Sequence, residues 1–144
     1  MVIQMISAES ETIRRAACLC LALTCFQQES KAEGVINFLE TYSVDNPSQF
    51  GQTSVEYAGL AVGLAYFRTG NVQQCQRLLL LSNRLNKTFG AKLTIEALGL
   101  VLTPSGQALQ LLQMCTRSFD AQVRAGACMA LGQVFSSSGN QQVV

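Results

Sequence analysis

Three segments of the chain place hydrophobic side chains three and four residues apart, with polar residues between them. This spacing gathers the hydrophobic side chains on one face of an α-helix. The first helix is predicted to begin at Ser30, which forms a capping-box pattern with Glu33. The second is predicted to follow Asn71, a favourable N-cap residue. The third is predicted to follow Thr103, with Pro104 at its first position, where the missing N–H costs little.

Four further segments are hydrophobic almost all round and rich in Ala, Gly and Cys. They run approximately over residues 11–27, 53–68, 87–102 and 120–136. A helix that is hydrophobic on every side is expected to pack on more than one side. No segment alternates β-branched and polar residues over more than a few positions, as a half-buried strand does. The pattern therefore predicts an all-α fold.

The hydrophobic segments repeat. Residues 58–63 (AGLAVG) align with residues 127–132 (ACMALG), and the pair at 70–71 then falls on the pair at 139–140 without a gap. A third segment has Ala97-Leu98-Gly99, and a first segment has Ala22 at the glycine position. Successive anchors, Ala22, Gly63, Gly99 and Gly132, are spaced at a period typical of solenoids of helical pairs. One helical-repeat domain is therefore predicted over 1–144, with repeats at approximately 10–44, 52–86, 87–118 and, in part, 120–144.

Each glycine inside a helix lowers the stability of the helix by about 1 kcal/mol relative to Ala, so a compensating interaction is expected. Close approach of neighbouring helices, with small residues at one recurring position, is the expected compensation. We therefore expect Gly132→Leu to unfold or dissociate the stack. The predicted structural repeat core consists of Ala22, Gly59, Ala61, Gly63, Ala97, Gly99, Ala130 and Gly132.

Composition narrows the function. With 144 residues, 49% hydrophobic and 13% charged, the chain is expected to bury a core and not to be disordered. The net charge is +1 and the basic residues are scattered, which argues against nucleic acid as a partner. The longest hydrophobic runs, residues 16–26 and 58–67, are shorter than the roughly 20 residues of a membrane-spanning helix. No secretory signal is predicted, so we expect a cytoplasmic and nuclear protein.

Catalytic chemistry finds little support. The chain has no histidine, so dyads of the Ser-His and Cys-His types are excluded, and it has no phosphate-binding glycine loop. Glu9, Glu11 and Asp45 form no pair suited to acid–base work. We therefore expect no catalytic residue, cofactor or metal. The six cysteines form no CxxC pair and are expected to be reduced and mostly buried: Cys18, Cys20, Cys25, Cys75, Cys115 and Cys128.

Two segments resemble a known family of repeats. Residues 57–71 (YAGLAVGLAYFRTGN) and 123–140 (VRAGACMALGQVFSSSGN) are similar to proteasome/cyclosome repeats, helical pairs with a Gly-Ala-x-x-Ala-Leu-Gly core and a Gly-Asn turn. The resemblance implies a HEAT-like α-solenoid forming an arc of a toroid, with stacking faces exposed at both ends. Two features depart from the pattern: Ala22 replaces glycine, and residues 43–52 exceed the usual turn.

The resemblance also implies a function: a non-catalytic scaffold in ubiquitin-dependent protein degradation. Expected partners are other subunits of the proteasome regulatory particle and ubiquitin receptors, and the exposed repeat ends are expected to permit self-association. A generic HEAT or tetratricopeptide-like adaptor and the repeat domain of the largest anaphase-promoting-complex subunit remain alternatives. The recurring Ala-Leu-Gly and the absence of Trp favour the first interpretation over the HEAT or tetratricopeptide-like adaptor, while the anaphase-promoting-complex subunit shares the repeat. Candidate solvent-facing contact residues are Gln73, Gln76, Arg77, Gln110 and Gln113.

Overall fold

The computed structural model describes residues 2–45 and 49–136, and its regular structure in these ranges is entirely α-helical. The all-α prediction is therefore confirmed. In chain order the helices are α1 (Val2–Met5), α2 (Glu11–Leu23), α3 (Glu29–Asp45), α4 (Gln49–Ala65), α5 (Val72–Arg84), α6 (Phe89–Val101), α7 (Gly106–Cys115) and α8 (Ala121–Phe135).

Side-chain caps set the start of three helices. Asn71 caps α5 as predicted, because the backbone N–H of Gln74 donates to its Oδ1 atom at 3.2 Å. The α7 helix begins later than predicted, since the Ser105 hydroxyl, and not the Thr103-Pro104 pair, accepts the backbone N–H of Ala108 at 3.0 Å. Asp120 caps α8 in the same way through the backbone N–H of Gln122 at 2.9 Å.

The predicted capping box at Ser30 is wrong. Helix α3 begins at Glu29, so Ser30 already lies in its first turn. The Glu33 carboxylate faces a neighbouring helix and accepts a hydrogen bond from the Tyr66 hydroxyl at 3.1 Å. The long turn expected over residues 43–52 is also wrong where it is described, because α3 continues to Asp45 and α4 begins at Gln49; residues 46–48 lie outside the described ranges.

The helices form two rows. The inner helices α2, α4, α6 and α8 contact one another in succession. The outer helices α3, α5 and α7 each pack mainly on the inner helix that follows them, and α1 packs on α2. The four segments predicted to be hydrophobic all round are thus the inner helices, and the amphipathic segments are the outer ones. Helices α4 and α6 are covered on several sides, which explains their composition.

The core lies between the two rows. Each outer helix contributes a fully buried aliphatic side chain to this core, namely Ile36, Leu78 and Leu112. They pack with inner-helix residues such as Leu98 in a single large hydrophobic cluster. Within the described residues, no helix combines the length and the hydrophobicity that crossing a membrane requires.

Candidate functional site

The inner helices touch at their glycines. A Cβ atom built on Gly63 of α4 would lie 2.9 Å from the Cβ atom and the carbonyl oxygen of Ala97 in α6. A Cβ atom on Gly99 of α6 would lie 2.7 Å from the Cβ atom of Ala130 in α8. Carbon atoms in van der Waals contact need about 3.5 Å or more. Backbone contact between successive inner helices therefore excludes every side chain but hydrogen at Gly63 and Gly99.

The small residues around these contacts are buried. Ala22, Ala61, Ala97 and Ala130 have no exposed surface. Gly59 serves a different contact, because a Cβ atom there would lie 3.0 Å from Leu81 of the outer helix α5 and 3.3 Å from the Thr94 hydroxyl of α6.

Gly132 differs from its counterparts. It is exposed on α8, and no atom of the described ranges lies within 4 Å of a Cβ atom built there. The expectation that Gly132 permits a close contact is therefore wrong within the described ranges, whereas the expectation that Gly132→Leu unfolds or dissociates the stack stays a prediction. The physical reason is position: α8 is the last inner helix described, and its glycine faces away from α6.

Two packing glycines were not among the predicted core residues. A Cβ atom on Gly126 would lie 2.7 Å from the carbonyl oxygen of Lys92, so the contact of α6 with α8 uses two small residues one turn apart. The spacing of Gly126 from Ala130 carried that signal in the sequence. A Cβ atom on Gly90 would lie 2.6 Å from the Cγ atom of Glu56. Nothing in the local sequence marks Gly90, because its neighbour lies in the preceding inner helix, far earlier in the chain.

The turns that follow α2 and α4 also correspond to each other. Gln27 and Arg68 each lie five residues after their anchor, Ala22 or Gly63, and both have positive φ, 53° and 60°. The Gln27 N–H donates to the carbonyl of Leu64 at 3.1 Å, and the Arg68 N–H donates to the carbonyl of Leu100 at 2.9 Å. Each acceptor is one residue after the glycine of the next inner helix. Successive inner helices are thus joined by equivalent backbone hydrogen bonds.

The third position in this series is Pro104, five residues after Gly99. Proline has no backbone N–H and cannot donate. The corresponding acceptor, the carbonyl of Gln133 in α8, instead accepts a hydrogen bond from the Nη2 atom of the Arg68 side chain at 3.2 Å. A side chain from the turn after α4 therefore takes the place of the missing backbone donor.

A buried ion pair joins α2 to α4. Glu56 is 1% exposed, and its Oε2 atom lies 2.9 Å from Nη1 of Arg15. Its Oε1 atom accepts a hydrogen bond from Gln52 at 3.2 Å. Arg15 also bonds Glu11 at 2.8 Å. Burial opposes the charge on Arg15, but the hydrogen bonds to Glu11 and Glu56 outweigh it and raise the pKa of the guanidinium, which therefore stays charged.

A polar pocket of about 180 Å³ surrounds this pair. Its lining comes from α2 and α4: Glu11, Arg14, Arg15, Gln52, Thr53 and Glu56. Two carboxylates and two guanidiniums balance, and the carboxylates already bond Arg15. Arg15 and the two carboxylates form a structural network in which each of these charges offsets the desolvation of another.

Cysteine chemistry is suppressed in the core. Burial raises the pKa of the Cys18 thiol to about 11, and it also raises the pKa values of Cys25, Cys75 and Cys115. These thiols are therefore protonated near neutral pH and weakly nucleophilic. Cys20 and Cys128 are the exceptions to the expected burial: both are exposed, and they lie on helices α2 and α8. Across the described ranges no group of His, Cys, Asp and Glu could hold a metal ion.

A groove of about 270 Å³ lies between the outer helices α5 and α7. Its lining is mainly hydrophobic and includes Leu79, Leu102 and Leu111, and Cys75 is its one titratable side chain among the residues described. Burial raises the pKa of that thiol. The groove offers shape and hydrophobic surface but no acid–base pair.

The predicted contact residues of the outer helices divide into two groups. Gln73, Gln76 and Gln110 are exposed as expected. Gln113 is half-buried, and Arg77 is also half-buried because it pairs with Glu40 at 3.0 Å and Glu33 at 3.4 Å on α3. Arg77 thus holds α3 against α5 and is not a free solvent-facing residue.

The fold and the contacts define an all-helical protein whose inner helices meet through glycine and alanine. Comparison with models of protein families finds no matching family, and neither a curated protein nor a solved structure matches the chain.

Proposed function

We propose that the chain is a non-catalytic scaffold, an arc of an α-solenoid built from HEAT-like helical-pair repeats of the proteasome/cyclosome type. Among such proteins it most resembles the largest non-ATPase subunit of the 26S proteasome regulatory particle. In that role it organises other subunits of the particle base and docks ubiquitin receptors, in the cytoplasm and the nucleus. The resemblance of residues 57–71 and 123–140 to the repeat family supplies this assignment.

The observation that carries the proposal is the recurrence of one interhelical contact. Gly63 meets Ala97, which lies two residues before Gly99, and Gly99 meets Ala130, which lies two residues before Gly132. Helix α6 thus offers an alanine, Ala97, to the helix before it and a glycine, Gly99, to the helix after it. A recurring contact between sequence-equivalent positions is typical of repeat proteins, in which each unit contacts its neighbours.

The backbone hydrogen bonds at Gln27 and Arg68 support the same frame. They join equivalent positions of successive units, and the separation of the two donors in the chain equals that of the anchors Ala22 and Gly63. Two independent features, side-chain size and turn geometry, therefore follow the same repeat. Solenoids of this kind present extended surfaces to other proteins.

Two alternatives share the helical pairs. A generic HEAT or tetratricopeptide-like adaptor does not require glycine at one fixed inner position, so the contacts of Gly63 and Gly99 favour the proteasome/cyclosome type. The repeat domain of the largest anaphase-promoting-complex subunit has the same kind of repeat, and the choice between these two assemblies depends on the partners.

The test is affinity capture of the tagged chain from cells at moderate salt, with mass spectrometry of the recovered proteins. Proteasome ATPases and lid subunits are the expected partners. A tagged Gly99→Leu chain, in which the central contact is broken, provides the control and should recover none of them. Recovery of anaphase-promoting-complex subunits would reassign the scaffold to that assembly, and recovery of neither group would overturn the proposal.

A further inference from the structure

The last inner helix has an uncovered apolar face. Ala125, Cys128, Met129 and Gly132 are exposed on α8, with Met129 53% exposed. At about 100° per residue, they lie within one third of the helix circumference. We call these four residues the α8 face. Its centre is Gly132, which has open space around it in the described part of the molecule.

The first inner helix has a matching uncovered face. Ile13, Leu19 and Leu23 are 45%, 38% and 55% exposed, and Ala16 and Cys20 are exposed beside them. These five residues also lie within about one third of the circumference, and we call them the α2 face. None of them is charged. The single-turn helix α1 packs elsewhere on α2, where Ile6 shares a cluster with Ala17 and Cys18.

The recurring contact shows what these faces fit. Inside the chain, a glycine meets the small residue two positions before the next anchor. On α8 the glycine position is Gly132, and no inner helix is described beyond it. On α2 the position two residues before the anchor Ala22 is Cys20, a small residue that no preceding inner helix covers. The α8 face thus has the glycine half of the contact, and the α2 face has the other half.

A second pair of contacting positions supports the same register. In the contact of α6 with α8, Gly126 lies four residues before Ala130 and packs against Ile95, four residues before Gly99. The equivalent position on the α2 face is Ala16, four residues before Cys20. If α2 of a second copy packs on α8 in the same parallel register, it presents two small side chains one turn apart, Ala16 and Cys20. Leu19 and Leu23 extend the apolar contact on one side.

We propose that the α8 face of one copy of the chain stacks on the α2 face of a second copy, head to tail, with Gly132 against Cys20. This association goes beyond the scaffold function and continues the internal interface from one copy to the next. The two faces differ, so the contact is heterologous and leaves a free α8 face and a free α2 face on every dimer. Longer open assemblies therefore form as the concentration rises, unless the rotation closes a ring.

Disulfide trapping tests the register. The internal contacts bring Cβ positions to within 3 Å of each other, closer than the about 3.5–4.5 Å between the Cβ atoms of a disulfide. A disulfide at the equivalent positions therefore forms when the two helices separate by about 1 Å. In a Cys128→Ser background, Gly132→Cys should form covalent dimers and higher multimers through Cys20 of the next copy when the protein is oxidised with diamide. Adding Cys20→Ser should abolish the ladder.

Gly106→Cys in the same background is the matched control. Gly106 is also exposed, with no described atom within 4 Å of a Cβ atom, but it lies on the outer helix α7. A Gly132→Cys chain that yields no more covalent dimer than Gly106→Cys would overturn the proposal.

Light scattering over a range of concentrations gives a second measurement. The unmodified chain should show a mass that rises with concentration, and Gly132→Arg should raise the apparent dissociation constant at least about tenfold, roughly 1.4 kcal/mol. Circular dichroism should show the same melting of both proteins when dilute, because Gly132 has room for a side chain. A strictly monomeric unmodified chain, or a Gly132→Arg chain that associates equally well, would overturn self-association and leave the α8 face to a different protein.

Discussion

Gly99 and Gly132 end the same tripeptide, Ala-Leu-Gly, on successive inner helices, yet their surroundings are opposite. At Gly99 the backbone of α8 lies against the glycine, and at Gly132 no described atom is close enough to meet a side chain. The equivalent sequence positions have the same conformation and different neighbours. The repeat motif therefore encodes the shape of a helix face, whereas the need for glycine arises only where another helix covers that face.

The largest expected effect comes from filling the covered position. Gly99→Leu would drive a side chain into Ala130 and should lower the free energy of unfolding by at least about 3 kcal/mol, at the upper end of overpacking effects. Gly132→Leu, measured in dilute solution, should change it by less than about 1 kcal/mol in either direction. Urea denaturation followed by circular dichroism measures both. Equal losses would show that Gly132 is covered after all.

Substitutions at the Arg15–Glu56 ion pair test whether charge stabilises the contact of α2 with α4. Glu56→Ala removes a carboxylate that is 1% exposed and leaves Arg15 without its buried partner, so a loss of about 2–4 kcal/mol is expected. Glu11→Ala is the matched control, because Glu11 pairs with the same arginine but its side chain is 61% exposed. The control should cost less than about 1 kcal/mol. Similar losses for the two variants in urea denaturation would contradict this account.

Asp120 links the start of α8 to the turn before α6. Its carboxylate caps α8 and also accepts the backbone N–H of Lys87, so Asp120→Ala should cost about 1 kcal/mol. The hydrogen bond from Lys87 is the main cause that lowers the pKa of Asp120 below its ordinary value of 3.8. A lowered folded-state pKa contributes stability that is present above the unfolded-state pKa and is lost as pH falls through the folded pKa.

Asp120→Asn keeps an acceptor for the α8 cap without the charge. It should retain most of the stability at neutral pH and lose the part of the acid dependence that belongs to this carboxyl group. Thermal melts from strongly acidic to neutral pH compare the three proteins. An unchanged acid profile in the asparagine variant would show that other carboxyl groups cause the dependence.

The smallest expected effect is an increase, not a decrease, in the free energy of unfolding. Gly132→Ala adds a better helix former where space is open, and it should stabilise the dilute chain by up to about 1 kcal/mol. Gly99→Ala adds the same methyl group where Ala130 leaves no room, and it should destabilise. Paired denaturation curves give both signs, and a stabilising Gly99→Ala would refute the close approach of α6 and α8.

Local sequence patterns predicted the helices well and the contacts between them only in part. The hydrophobic character of the inner segments and the cap at Asn71 depend on residues close together in the chain, and both were recognised. The prediction at Ser30 is wrong because Glu33, which completes the local pattern, accepts a hydrogen bond from Tyr66, the residue that directly follows α4. Glu56 was missed because its partner Arg15 lies on a different inner helix, too far away along the chain for a local pattern to pair the two charges.

The glycine pattern located the inner contacts but could not tell a covered glycine from an uncovered one. That distinction depends on which helix follows in space, and Gly132 has the same local sequence in either case. The repeat frame nevertheless carried useful information, because it identified Cys20 and Gly132 as equivalent to residues that meet inside the chain.

The junction at Pro104 has a consequence for how the sequence can vary. Where a main-chain N–H joins successive helices, as at Gln27, the bond itself survives most substitutions because every residue except proline supplies the donor. The carbonyl of Gln133 instead depends on the guanidinium of Arg68, so a single amino-acid change can remove that bond. The two kinds of junction thus differ in mutational robustness, and Arg68 is the position at which variation between related sequences should be matched by a change at position 104.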